Sequence, residues 1–150
     1  MTEDLERVTR AAIAARAGEY LQQGYHCSEA VVLAVAPTVV PDWHPACLRL
    51  ANGFAGGLGG TQQEMCGALA GGIMVIGALF GRQELKDDAL AQQLSARLRE
   101  AFWASFGGSQ CAWLRTNVVE PPGGLGSCSV LVPRATGVLL DILAEAGVSL

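Results

Sequence analysis

Four cysteines, Cys27, Cys66, Cys111 and Cys128, stand where the local sequence predicts a helix to begin. A helix N-terminus carries about half a positive charge and unpaired backbone N–H groups. Both favour thiolate over thiol, and the thiolate is the nucleophile of disulfide exchange and the form that binds metals. The four lie far apart in sequence, so only a folded core brings them together. Cys-x-x-Cys does not occur, which removes a thioredoxin-type dithiol and a zinc ribbon. The fifth cysteine, Cys47, lacks the glycine or serine neighbours of the other four and reads as core filler.

Two chemistries fit this set. In a thiol redox protein two cysteines cycle between dithiol and disulfide, a low-pKa thiol attacking and a second resolving. Cys66 is then the expected attacker, because its helix start is the best defined, and Cys27 its partner. In a binding module the four thiolates hold one metal centre, zinc or an iron–sulfur cluster with two irons and two sulfides. A third reading keeps the cysteines inert, in a non-catalytic helical partner of a transporter or redox enzyme. His26 beside Cys27 and Arg115 one turn after Cys111 are weaker candidates for the same neighbourhood, as base or ligand and as anion partner. Glu29 and Glu64 fit first-turn helix positions, where a carboxylate meets the dipole favourably.

The elements that must position these thiols are helical almost throughout. Alanine, leucine and glycine dominate the 150 residues, and alternating β-branched segments are scarce. A first helix is expected from about Glu3 to Gln23, and a second through Ala30–Ala36 that starts at Cys27 or Ser28 and stops at Pro37. A short third opens at Asp42-Trp43-His44-Pro45, holds Cys47 and frays at Asn52-Gly53. After the glycine-rich loop Phe54 to Gly60, Thr61-Gln62-Gln63-Glu64 matches a capping box. It predicts a helix from Thr61 to Phe80 with Cys66 one turn in. Gly67, Gly71, Gly72 and Gly77 on that helix predict close backbone packing, since each costs about 1 kcal/mol relative to alanine. The amphipathic stretch Glu84–Phe106 is followed by a helix capped at Ser109, with Cys111 in its first turn. A last helix reaches Ala146; Pro133 is expected in its first turn, with Cys128 a few residues ahead. The expected fold is all-α, a bundle of about six helices in a single domain, residues 1–150. The glycine-faced helix is central, and the cysteine-bearing starts converge near its N-terminal end.

Composition bounds the partners. Hydrophobic residues make up 51% and charged residues 16%, with mean hydropathy +0.32. So little polar surface points to a homo-oligomer, most simply a homodimer. A net charge of −4 and a single lysine, Lys86, argue against nucleic acid. The longest apolar run, Met65 to Phe80, has 16 residues, short of the roughly 20 that span a bilayer. No positively charged start precedes an apolar stretch, so the expected setting is the cytoplasm, where thiols stay reduced unless catalytic, metal-bound or sensing. The glycine-rich loop has neither the lysine of a P-loop nor a preceding strand.

The segments Gly24-Tyr25-His26-Cys27-Ser28-Glu29-Ala30-Val31, Gly53-Phe54-Ala55-Gly56-Gly57 through Cys66-Gly67-Ala68-Leu69-Ala70-Gly71, Phe106-Gly107-Gly108-Ser109-Gln110-Cys111 and the late Cys128 together resemble the C-GCAxxG-C-C family. Its members are bacterial and archaeal domains described as redox-active. The resemblance covers about residues 20–145, with the cysteines in the family's order. Ala68 and Gly71 fall in register with the central motif, whose Gly-Cys pair stands here as Cys66-Gly67. The resemblance implies that Cys27, Cys66, Cys111 and Cys128 are the functional set and that Cys47 is incidental. It implies redox activity without naming a substrate. It also implies a connection to transporters or electron-transfer proteins, which brings in the iron–sulfur cluster.

Overall fold

The computed structural model describes residues 2–150, and among them it contains six α-helices, a 3₁₀ segment and a π-helical turn, with no strand. The helices are α1 (Thr2–Gln23), α2 (Cys27–Val39), α3 (Gly67–Phe80), α4 (Ala89–Phe106), α5 (Cys111–Leu114) and α6 (Cys128–Glu145); the 3₁₀ segment is Pro45–Phe54 and the π turn Arg115–Val119. The all-α expectation therefore holds. No described helix is long and apolar enough to cross a membrane.

α3 is the centre. Its fourteen residues carry no charged side chain, and it packs against α2, α4, α6 and the 3₁₀ segment. The glycines set how close these neighbours come. A Cβ on Gly71 would stand 2.6 Å from the Ser28 carbonyl oxygen, and one on Gly72 2.9 Å from the Leu98 side chain. So α2 approaches α3 at backbone distance at Gly71, as the glycine pattern predicts, while Gly72 makes room for the Leu98 side chain of α4. Gly77 departs from the pattern, because among the described residues nothing lies within 4 Å of a Cβ built there. Ile13, Ala17, Val31, Val35, Ile76, Phe102, Leu139 and Leu143 fill the core between the layers. Buried Ser28 donates its hydroxyl to the Ala51 carbonyl at 2.7 Å, tying the 3₁₀ segment to α2. That bond satisfies a polar group that would otherwise be costly to bury.

Several boundaries differ from expectation. Pro37 does not stop α2; it lies inside the helix, which ends where the Val40 N–H bonds the Ala36 carbonyl. Glu84–Asp88 is irregular, and α4 begins only after the Asp87 carboxylate accepts the Ala89 N–H at 2.9 Å. α6 starts at Cys128, with Ser127 as its cap accepting from the Ser129 N–H, so Pro133 is interior. The proline survives there because α1 presents Gly18: a Cβ at Gly18 would lie 2.9 Å from the Pro133 ring. The largest difference is at Thr61, which does not start a helix. Its hydroxyl instead closes the glycine-rich loop by donating to the Gly57 and Leu58 carbonyls, each at 2.8 Å. Left-handed backbone at Gly56, Gly57, Leu58, Gly59, Gly60 and Gln62 winds that loop, a conformation glycine adopts without the Cβ penalty.

A candidate four-thiol site

Residues 62–66, predicted as helix, form no helix and lie beside residues 109–112. The Cys66 N–H donates to the Ser109 carbonyl at 2.6 Å, Cys111 N–H to Glu64 at 2.9 Å and Ala112 N–H to Gln62 at 2.9 Å. Met65 and Gln110 form an isolated antiparallel bridge. This short pairing places Cys66 as the residue capping α3 and Cys111 as the first residue of α5. Cys27 is the first residue of α2, held by the His26 N–H donating to Glu29 at 3.0 Å. Glu29 thus has the first-turn structural role expected of it, whereas Glu64 contributes its carbonyl and lies on no helix. Cys128 is the first residue of α6. Each of the four sits at a helix start, although Cys66 and Cys128 reach theirs by a different register than the sequence suggests.

All four line one cavity of about 180 Å³, together with His26, Arg115, Gly56, Gly67 and the apolar side chains Leu21, Leu114, Val119, Leu131 and Val132. Two glycines make this possible. A Cβ on Gly67 would overlap the Cys27 sulfur, and one on Gly57 would stand 2.6 Å from the Cys111 Cβ. Cys66 and Cys111 are buried, Cys27 and Cys128 half-buried, and all are free thiols. Cys47 is exposed and lies elsewhere, beside the larger cavity that Trp43, His44 and Met74 also line.

The electrostatics correct one expectation. Burial pushes the Cys66 thiol up from 9.0 to about 12. The Ala68 and Leu69 amides of the α3 N-terminus pull it down, as a helix start should, while the neighbouring Cys27 and Cys111 sulfurs push it up further. Desolvation outweighs the helix end, so the Cys66 thiol is raised where the helix start alone would lower it. Cys111 is also raised, first by burial; Arg115 works against this, and Cys27 and Cys128 reinforce it. These mutual influences order the thiols in space: Cys27 acts on Cys66 and on Cys111, and Cys128 acts on Cys111.

Among the described residues no three His, Cys, Asp or Glu side chains stand close enough together to hold a metal ion. The four sulfurs have the donor chemistry for zinc or an iron–sulfur cluster, but a single zinc ion would need them to move inward. The apolar lining from Leu21 and Leu131–Val132 had no signal in the sequence, because it depends on α1 and α6 meeting across the site. Arg115, expected one turn from Cys111 as a candidate anion partner, is part of the wall.

A family model described as "Putative redox-active protein (C_GCAxxG_C_C)" matches residues 25–142, most of the chain and all four of these cysteines. No curated protein matches the chain. No solved structure matches it.

Proposed function

The chain belongs to the C_GCAxxG_C_C family, and from that premise we propose that its four thiols work as two dithiol pairs, Cys27 with Cys66 and Cys111 with Cys128. The observation that supports this reading is the single cavity lined by all four. Each pair combines a half-buried thiol that a substrate can reach with a buried one that it cannot. The Cys27 thiolate attacks one sulfur of a substrate S–S bond, forming a mixed disulfide while the other substrate sulfur leaves as thiolate. The Cys66 thiolate then attacks the Cys27 sulfur, releasing the second substrate thiol. The protein keeps a Cys27–Cys66 disulfide, and two electrons pass to the substrate. The order follows from exposure, since Cys27 is half-buried and Cys66 buried. Burial is the largest cause that raises the Cys66 thiol, and the push from Cys27 is a smaller one that the mixed disulfide removes.

The test is mild oxidation of metal-free protein followed by disulfide mapping. Cys27–Cys66 and Cys111–Cys128 linkages are expected, with Cys47 free. Cys27→Ser or Cys66→Ser should abolish disulfide reduction by the protein, while Cys47→Ser leaves it unchanged. Five thiols that stay free under oxidation would overturn the reading.

The convergence of four thiols also supports a second reading, in which thiolates hold zinc or an iron–sulfur cluster and the protein serves electron transfer. Metal and acid-labile sulfide content of anaerobically purified protein separates the two. Iron with sulfide, or stoichiometric zinc, selects the metal reading; metal-free protein selects the dithiols. A non-catalytic partner of a transporter or redox enzyme would instead show uniformly unreactive thiols in metal-free protein. We place the protein in the cytoplasm, where a dithiol pair is kept reduced. From its low charged fraction we propose a homodimer, which light scattering tests.

A further inference from the structure

The cavity that holds the thiols is one-sided in charge. Among the described residues Arg115 is the one Arg, Lys, Asp or Glu in its wall, so no carboxylate of theirs lines it. Arg115 is exposed, and among the described residues neither an ion pair nor a side-chain hydrogen bond occupies its guanidinium. A guanidinium left without a partner beside nucleophilic sulfurs matches the planar fork that binds carboxylates and other oxyanions. The cavity is also small. About 180 Å³ lies below the roughly 300–1,000 Å³ of sites for drug-sized ligands. A space of this size suits a compact molecule, and a bulkier one meets the apolar wall of Leu21, Leu131 and Val132.

We infer that the four-thiol cavity takes a compact anionic substrate, a molecule of a few heavy atoms bearing one carboxylate or sulfur-oxyanion group, and that the Arg115 guanidinium binds that group. The inference names the substrate class for the dithiol chemistry proposed above and rests on that reading for what happens to the substrate afterwards. Arg115 stands four residues after Cys111, across the short α5 and into the π turn. Its charge acts on the Cys111 thiol, and the half-buried thiols Cys27 and Cys128 line the same cavity. Leu21, Leu114 and Val132 give the rest of the cavity an apolar lining.

Two alkylating reagents of similar size test this: iodoacetate, an anion, and iodoacetamide, its neutral counterpart. With either, the thiolate sulfur bonds to carbon and iodide leaves with the electron pair, so the ratio of the two rates reads the charge preference of the site. Exposed Cys47 is the reference within the same molecule, each cysteine being followed by peptide mass. The iodoacetate-to-iodoacetamide ratio at Cys27 and Cys128 should exceed that at Cys47 about fivefold at low salt. The excess should collapse at 1 M salt, vanish in Arg115→Gln and persist in Arg115→Lys. Acetate or sulfate, at matched ionic strength against chloride, should slow iodoacetate, and the stronger competitor identifies the group. Equal ratios at Cys27 and Cys47, or a ratio unmoved by Arg115→Gln and by salt, would overturn the inference. The salt arm uses unaltered protein and so needs no folded variant. Disulfide mapping of the same samples separates the two proposals. Disulfides with a flat ratio leave the dithiol reading standing without the anion site, and an Arg115-dependent ratio without disulfides does the reverse.

Discussion

The two ends of α3 face cavities of opposite character. At its N-terminus, about 180 Å³ is enclosed by four thiols and a guanidinium; along its C-terminal half, about 410 Å³ is lined by Val32, Ala36, Trp43, Met74, Gly77 and a single thiol, Cys47. The larger space has the less chemistry. Cys47 also stands near a helix start, its N–H donating to the His44 carbonyl at 2.9 Å as the 3₁₀ segment begins. A helix start therefore does not by itself distinguish a functional cysteine in this fold. What separates Cys27, Cys66, Cys111 and Cys128 from Cys47 is that each of the four has other thiols for neighbours, and that two of them are removed from water.

Burial of Cys66 gives the sharpest way to break this comparison. Its folded pKa of about 12 lies above the ordinary 9.0, so the folded state keeps a proton that the unfolded chain releases between those values. The contribution is fully present below pH 9 and is lost as pH rises toward 12. The loss reaches up to about 4 kcal/mol over the full window. Urea unfolding at pH 8, 9.5 and 10.5 should show stability falling with pH in the native protein and in Cys47→Ala. In Cys66→Ala the slope should be clearly shallower. Identical slopes in the two variants would mean that Cys66 is no more protected than Cys47, and the distinction between the two ends would fail.

A smaller effect is expected at Gly67. A Cβ there would collide with the Cys27 sulfur and press on the Phe54 carbonyl and the Ser28 amide, both at 3.2 Å. Two of these three are backbone atoms and cannot rotate away. Gly67→Ala should cost about 1–3 kcal/mol, as overpacking does, and should push Cys27 away from Cys66. The second consequence is the more telling one. The Cys27–Cys66 disulfide should form more slowly than in the native protein, while Cys47 reacts with iodoacetamide at an unchanged rate. An unaltered oxidation rate in a destabilised variant would show that Gly67 serves packing alone.

Much of the site was legible in the sequence, and what was missed has a common physical cause. The Cys27 start is legible because it is set locally, by Gly24 just upstream; the Cys111 start agrees with expectation but is also fixed by its N–H bond to the distant Glu64 carbonyl. The expected start at Thr61 fails although Thr61 and Glu64 fit a capping box, because that motif weighs only neighbours three residues apart. In the fold, residues 62–66 gain backbone hydrogen bonds from residues 109–112, a pairing across more than forty positions that no local pattern records. Pro133 misled for the same reason: its place inside α6 depends on Gly18 of α1. The convergence of the thiols belongs with these cases. Residue types and local starts point to the four, and contacts between distant segments bring them to one cavity and bury Cys66.

The other end of α3 supplies the smallest prediction and the complementary one. Gly77 lies in the same helix as Gly67, ten residues on, and borders the larger cavity. Among the described residues no atom comes within 4 Å of a Cβ placed there, and its φ is not in the left-handed region. Alanine at this position therefore meets nothing and removes the entropic cost of glycine in a helix interior. Gly77→Ala should stabilise the protein by about 0.5–1 kcal/mol and leave thiol oxidation untouched, read by urea unfolding and disulfide mapping. The same substitution would thus carry opposite signs at the two ends of one helix. If Gly77→Ala destabilises the isolated chain, that face is occupied in solution, as a homodimer would occupy it; a concentration-dependent loss would then place the dimer contact on the C-terminal half of α3, away from the four thiols.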